Sequence, residues 1–178
     1  MKARAKLTDL IDSLEFPSDE YVLRYDRQEG RTVMTEQSIL SALEEGESEE
    51  ELKDELPKWQ EEQVQIAKAI CDDPGDRFIT PPQKFDFNEY RHMERFIRDL
   101  PDQDAAEQLW RAIEGRGAFR YFKDTAARLG LLQQWYDYRD DAMKRFVIEW
   151  AEANDVPYED DLSTRGKKQK SRDVEDDD

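Results

Sequence analysis

Asp86–Gly130, DFNEYRHMERFIRDLPDQDAAEQLWRAIEGRGAFRYFKDTAARLG, is the stretch whose reading decides the fold. Tyr90, Met93, Ile97 and Leu100 recur at steps of 3, 4 and 3, the apolar stripe of an amphipathic helix opening at Asp86. Pro101-Asp102 separates it from a second stripe of Ala106, Leu109, Trp110 and Ile113. Gly115-Arg116-Gly117 then interrupts. A third helix, Ala118–Leu129, turns Phe119, Phe122, Ala126 and Leu129 inward, with Gly130 as its C-cap.

Working outward, a longer helix is predicted from Leu132 to Ala153 on the stripe Trp135, Ala142, Phe146 and Trp150, and Val156-Pro157 closes the fold. Towards the N-terminus, Thr8 can cap a short helix ending at Leu14. Tyr21, Leu23 and Tyr25 then alternate with Val22, Arg24 and Asp26 at strand period, Gln28-Glu29-Gly30 turns, and Arg31–Thr35 returns. Two strands alone are marginal, so this hairpin must pack on helices or pair further. Thr35 reads as the cap of a helix over 36–44. The nearly all-acid stretch 44–55 reads as a solvated connector, and Pro57 opens a helix with Trp59, Gln63, Ile66 and Ile70 on one side. Phe78-Ile79-Thr80-Pro81-Pro82 is extended, because proline pushes its predecessor out of the helical region. The predicted class is α+β: one mostly helical domain over residues 7–156 with a hairpin at 21–35 and an acidic connector at 44–55. Residues 1–6 are expected to be flexible. Residues 157–178 are expected to be a disordered, charged tail, its last stretch, 163–178, lacking apolar periodicity.

Composition restricts the chemistry. Asp and Glu total 44 against 27 Lys and Arg, a formal charge of −17. A uniformly acidic surface repels nucleic acid and anionic lipid. With the acid excess read as spread along the chain and Arg outnumbering Lys, the pattern fits adaptation to high salt as well as ordinary acidity. The lone Cys71 excludes an internal disulfide and a cysteine-based zinc site. Its neighbours Asp72 and Asp73 raise a thiol pKa and argue against a reactive thiolate. No apolar run approaches the ~20 residues that span a bilayer, and Asp9 and Asp12 interrupt any signal-peptide core. The expectation is a cytoplasmic protein with no membrane partner, cofactor or metal. His92, the single histidine, sits beside the core stripe with no triad partner, and Asp137, Asp140 and Asp141 read as a solvated face.

Residues 111–128, RAIEGRGAFRYFKDTAAR, depart from this background, with five positive and two negative charges. A Gly-Arg-Gly break ahead of a helix presents free backbone N–H groups to an anion. Arg116 and Arg120 can close on one phosphate or carboxylate, with Gly117, Lys123 and an outward Tyr121 completing the candidate site. The same residue types also serve if the arginines pair with acids on neighbouring helices and fix the junction. Three function classes follow: a non-enzymatic binding or regulatory module contacting nucleic-acid phosphate or an acidic protein partner, an enzyme acting on a phosphorylated or carboxylated substrate, and an interaction module using the hairpin edge for strand addition.

The segment GRGAFRYFKDTAARLGLLQQWYDYRDDAMKRFVIEW also resembles the hallmark region of a bacterial family of uncharacterised proteins known by a UPF label. LIDSLEF, EYVLRYDRQEGRTV, LPKWQEEQVQIAKAI and PPQKFDFNEYRHME extend the likeness over about residues 7–156. The resemblance implies one domain but transfers no activity. It marks Gly115, Arg116, Gly117, Arg120, Phe122, Lys123, Asp124, Trp135, Tyr136 and Arg139 as family-defining positions of a site or of a fold.

Overall fold

A computed structural model describes residues 3–16 and 19–162. In chain order it contains β1 (Ala5–Lys6), α1 (Leu7–Leu14), β2 (Tyr21–Asp26), β3 (Arg31–Glu36), α2 (Gln37–Glu44) and α3 (Glu49–Glu55). A 3-10 turn (Lys58–Gln60) leads into α4 (Glu61–Asp72), followed by β4 (Phe78–Ile79), α5 (Lys84–Phe87), α6 (Glu89–Arg98), α7 (Gln103–Ala112), α8 (Ala118–Arg128), α9 (Leu132–Ala153) and β5 (Tyr158–Glu159). The mostly helical α+β class is as the sequence implied. The chain divides into two compact units. The first is Met1–Gln83 with Val147–Asp178, and the second is Lys84–Phe146.

In the first unit the expected hairpin forms, β2 pairing antiparallel with β3 from Tyr21↔Glu36 to Asp26↔Arg31. Its turn depends on Gly30, at φ 68°, where a Cβ would lie 2.7 Å from the Ala3 side chain. The extended Phe78–Ile79 segment joins the other edge of β2, making a sheet in the order β3-β2-β4. Side chains occupy the outer edge of β3: Thr32 N–H donates to Asp9 (2.8 Å) and Glu36 N–H to the Gln63 amide oxygen (3.1 Å). Bonded this way, the edge is poorly suited to the strand addition weighed above. Val22, Ile39, Leu40, Leu52, Val64 and Ala67 form an apolar cluster in this unit.

Several expectations for this unit change. Thr35 is a buried strand residue donating to the Gln63 carbonyl (3.0 Å), not a helix cap. Thr8 lies inside α1, where its N–H and hydroxyl both donate to Asp161. The acidic connector is α3 in its latter half, held by a capping box in which Ser48 and Glu51 each bond the other's backbone N–H, with Leu52 buried. Trp59 is 68% exposed because the buried line runs one position on, through Gln60, Val64 and Ala67, instead of through Trp59, Gln63 and Ile66. The ends also differ. Ala5–Lys6 and Tyr158–Glu159 pair as parallel strands, so part of the expected flexible N-terminus and of the expected tail is ordered. The expectation for 163–178 falls outside the described residues.

The second unit contains α5 to α8 and the first part of α9. The helix expected from Asp86 is broken at Asn88, whose left-handed φ of 52° ends α5 and whose side chain caps α6 by accepting from Arg91 N–H. Met93, Phe96, Ile97, Leu109, Ile113, Phe122 and Trp135 belong to one core cluster. Phe122 and Trp135 meet edge-to-face at 4.9 Å, as do Phe96 and Trp135 at 5.5 Å.

Candidate functional site

The start of α8 is built by its glycines. Gly117 is the N-cap at φ 76°, a conformation that glycine adopts without strain. It donates no side-chain cap, and the first helical bond runs from Tyr121 N–H to Gly117 O at 3.0 Å. The N–H groups of Ala118, Phe119 and Arg120 therefore precede the hydrogen-bonded ladder, at the positive end of the helix dipole. A Cβ at 117 would stand 3.1 Å from the Tyr121 ring, so close packing of that ring also favours glycine.

The five candidate residues, Arg116, Gly117, Arg120, Tyr121 and Lys123, are all exposed. The Arg120 side chain is 86% exposed and reaches Asp124 only at 3.9 Å, an exposed pair that contributes little. Among the described residues Arg116 and Lys123 form no ion pair. The other two cations of the segment are engaged: Arg111 with Glu107 (2.7 Å) and Arg128 with the Gln108 amide oxygen (2.9 Å). The arginines at the break are thus not locked into the buried ion pairs of the alternative reading.

Phe119, assigned inward, is 48% exposed. The buried line of α8 runs through Ala118, Phe122 and Ala126, and Phe119 lies one position off it. Trp110 and Tyr90 are likewise displaced from their expected core stripes, at 36% and 37% exposed, and the Tyr90 hydroxyl donates to Ile113 O at 3.3 Å, just before the Gly-Arg-Gly break. Exposed aromatics near this break are what the sequence reading missed. The available signal for Phe119 and Trp110 was a one-residue offset from the stripe, whereas Tyr90 keeps the stripe spacing of three before Met93 and gave no such signal.

Charge is also divided. Residues 84–146 carry twelve basic and twelve acidic side chains, whereas the remainder carries fifteen basic and thirty-two acidic. The acid excess is therefore not spread along the chain, and the premise of a uniform repulsive surface does not hold for the second unit.

A model of the Uncharacterised protein family (UPF0158) matches residues 4–170. The chain belongs to this family. It is similar to the UPF0158 protein PA5073 of Pseudomonas aeruginosa, 31% identical over 65 residues that cover 36% of this chain and 42% of that protein, so the match spans less than half of the relative. No solved structure matches significantly.

Within this UPF0158 chain the positions marked by resemblance separate by environment. Phe122 and Trp135 are core, and Arg139 forms a largely buried ion pair with Glu89 at 2.7 Å, so these build the fold. Arg116, Arg120, Lys123 and Tyr136 are exposed and do no comparable packing. His92 is half-buried, stacked on Phe87 at 4.3 Å, and burial together with Arg95 depresses its pKa. The Cys71 thiol is pushed up by burial first, then by Glu44 and Asp72, where the sequence reading credited Asp72 and Asp73. Among the described residues no group of three His, Cys, Asp or Glu side chains is placed to hold a metal ion, and no helix is long and apolar enough to cross a membrane.

Proposed function

We propose that this protein is a non-enzymatic, cytoplasmic nucleic-acid-binding module that contacts phosphates through Arg116, Arg120, Lys123 and the N–H groups opening α8. The observation that carries the reading is the exposure of these three cations beside exposed Phe119 and Tyr121, in a unit without net charge. Arginine beside aromatic rings suits a phosphate backbone and its bases. An enzyme would want a carboxylate enclosed with the arginines, whereas Asp124 is 69% exposed, which supports binding over catalysis.

Fluorescence anisotropy with a labelled single-stranded 20-mer at low salt tests this. Wild type is expected to bind, and Arg116→Ala/Arg120→Ala to bind on the order of 10-fold more weakly, in line with loss of phosphate contacts. The melting temperature should stay within a few degrees, since exposed substitutions change stability little. Absence of wild-type binding, or equal binding by the double variant, overturns the reading.

A further inference from the structure

The solvent face of α6 carries arginines of its own. Met93, Phe96 and Ile97 are its buried residues, and Arg91, Arg95 and Arg98 stand on the opposite face, all exposed. Their spacing of 4 and 3 residues aligns them along one side of the helix. Glu94 and Asp99 are near in sequence, yet none of the three arginines forms an ion pair among the described residues. Arg91 and Arg95, and Arg95 and Arg98, are like charges at helical-neighbour spacing, which disfavours the isolated helix. Arg95 and Arg98 lie in the last turn of α6, where the helix dipole favours cations, yet all three side chains are turned to solvent and none joins the core.

The N-terminal end of α6 is tied to the segment that leads into the candidate site. Tyr90, the residue before Arg91, donates its hydroxyl to Ile113 O, three residues before Arg116. From Arg91 to Arg98 the helix rises roughly 10 Å.

We propose that Arg91, Arg95 and Arg98 form a second phosphate-contact line, so that α6 and the Gly-Arg-Gly break hold one nucleic-acid strand over several consecutive phosphates. The inference rests on the nucleic-acid reading above and extends it from a point contact to a track. The occupant is a polyphosphate backbone, by charge complementarity.

The test is the salt dependence of binding, because each neutralised phosphate of a single strand adds about −0.7 to the slope of log K against log [salt]. Affinity for the single-stranded 20-mer is measured over a KCl series for wild type, for Arg91→Gln/Arg95→Gln/Arg98→Gln, and for Arg116→Ala/Arg120→Ala. The α6 triple variant is expected to keep the wild-type melting curve, to bind at least ~10-fold more weakly at low salt, and to flatten the slope by about 2. Should the triple variant fold poorly, Arg95→Gln alone is expected to flatten it by about 0.7. An unchanged slope in the α6 variants, while the loop double variant still loses binding, overturns the track and leaves the single-site reading standing. Absence of wild-type binding overturns both. Equal affinity for polyglutamate of matched length also overturns a polyphosphate occupant, because an acidic polypeptide would then serve as well as phosphate.

Discussion

The two units of this chain solve different problems with different residues. The first carries the entire net charge and ties its sheet together with polar side chains: Asp26 is 2% exposed yet accepts from Gln28 N–H and grips Arg77 through two bonds of 2.9 and 2.8 Å. The second is electrically balanced, packs around Trp135 and Phe122, and exposes Tyr90, Trp110, Phe119, Tyr121 and Tyr136. Stability in the first therefore leans on satisfied buried polar groups as well as apolar packing, and in the second mainly on ring packing. Exposed cations and rings on the second are then open to a function the fold does not need.

The largest expected effect lies in the aromatic core. Trp135 is fully buried among Phe96, Phe122 and Tyr138. Trp135→Ala should cost about 3–5 kcal/mol through lost burial and the cavity left behind. Phe119→Ala, on the exposed side of α8, should stay within about 0.5 kcal/mol. Denaturant melts of both variants measure the contrast, and similar losses would show that Phe119 is core after all.

That contrast marks where the sequence was legible. Met93, Ile97, Leu100 and Trp135 were readable because a buried helical stripe repeats at the helix period, and the hairpin because β2 and β3 alternate around a turn glycine. Phe119 and Trp110 misled because an aromatic one position off a stripe looks the same in one dimension as a member of it. The strands β1 and β5 offered no periodicity in two residues each, and their pairing depends on a partner more than 150 residues away. In α3 the signal was present as Ser48-x-x-Glu51, but the surrounding acids suggested solvent. The candidate site was legible as a charge reversal. The division of charge between units was not, since it needs the boundaries near 83 and 147 that only the contacts supply.

A smaller effect is expected at the polar wiring of the first unit. Burial alone would raise the Asp26 carboxyl, but the Arg77 guanidinium with the N–H groups of Gln28 and Glu29 outweighs it and holds the pKa below the usual carboxylate range. A depressed carboxylate contributes stability that is fully present above its unfolded pKa near 4 and is lost as pH falls through the lower folded value. Asp26→Asn should cost about 1.5–3 kcal/mol at neutral pH, the Arg77 side chain being 37% exposed and able to rehydrate. The cost should shrink as the wild type is titrated below pH ~4. Urea melts at several pH values check this, and a difference that does not change with pH would show that Asp26 contributes shape rather than charge.

The smallest expected effect in stability separates the units by size. Added KCl screens repulsion among the thirty-two acidic side chains outside residues 84–146, where only fifteen basic ones oppose them. The melting temperature should therefore rise by a few degrees from low salt into the molar range, about 1 kcal/mol at this chain length. Hydrogen exchange should slow in α2, α3 and α4 more than in α6, α7 and α8, whose unit has no net charge to screen. Screening acts oppositely on a phosphate contact, which loses affinity as counterions compete. One titration should thus strengthen the acidic unit while weakening the proposed contact on the neutral one. A flat or falling melting temperature would remove the high-salt reading of the composition. A rise distributed equally over both units would show that charge division does not govern the salt response.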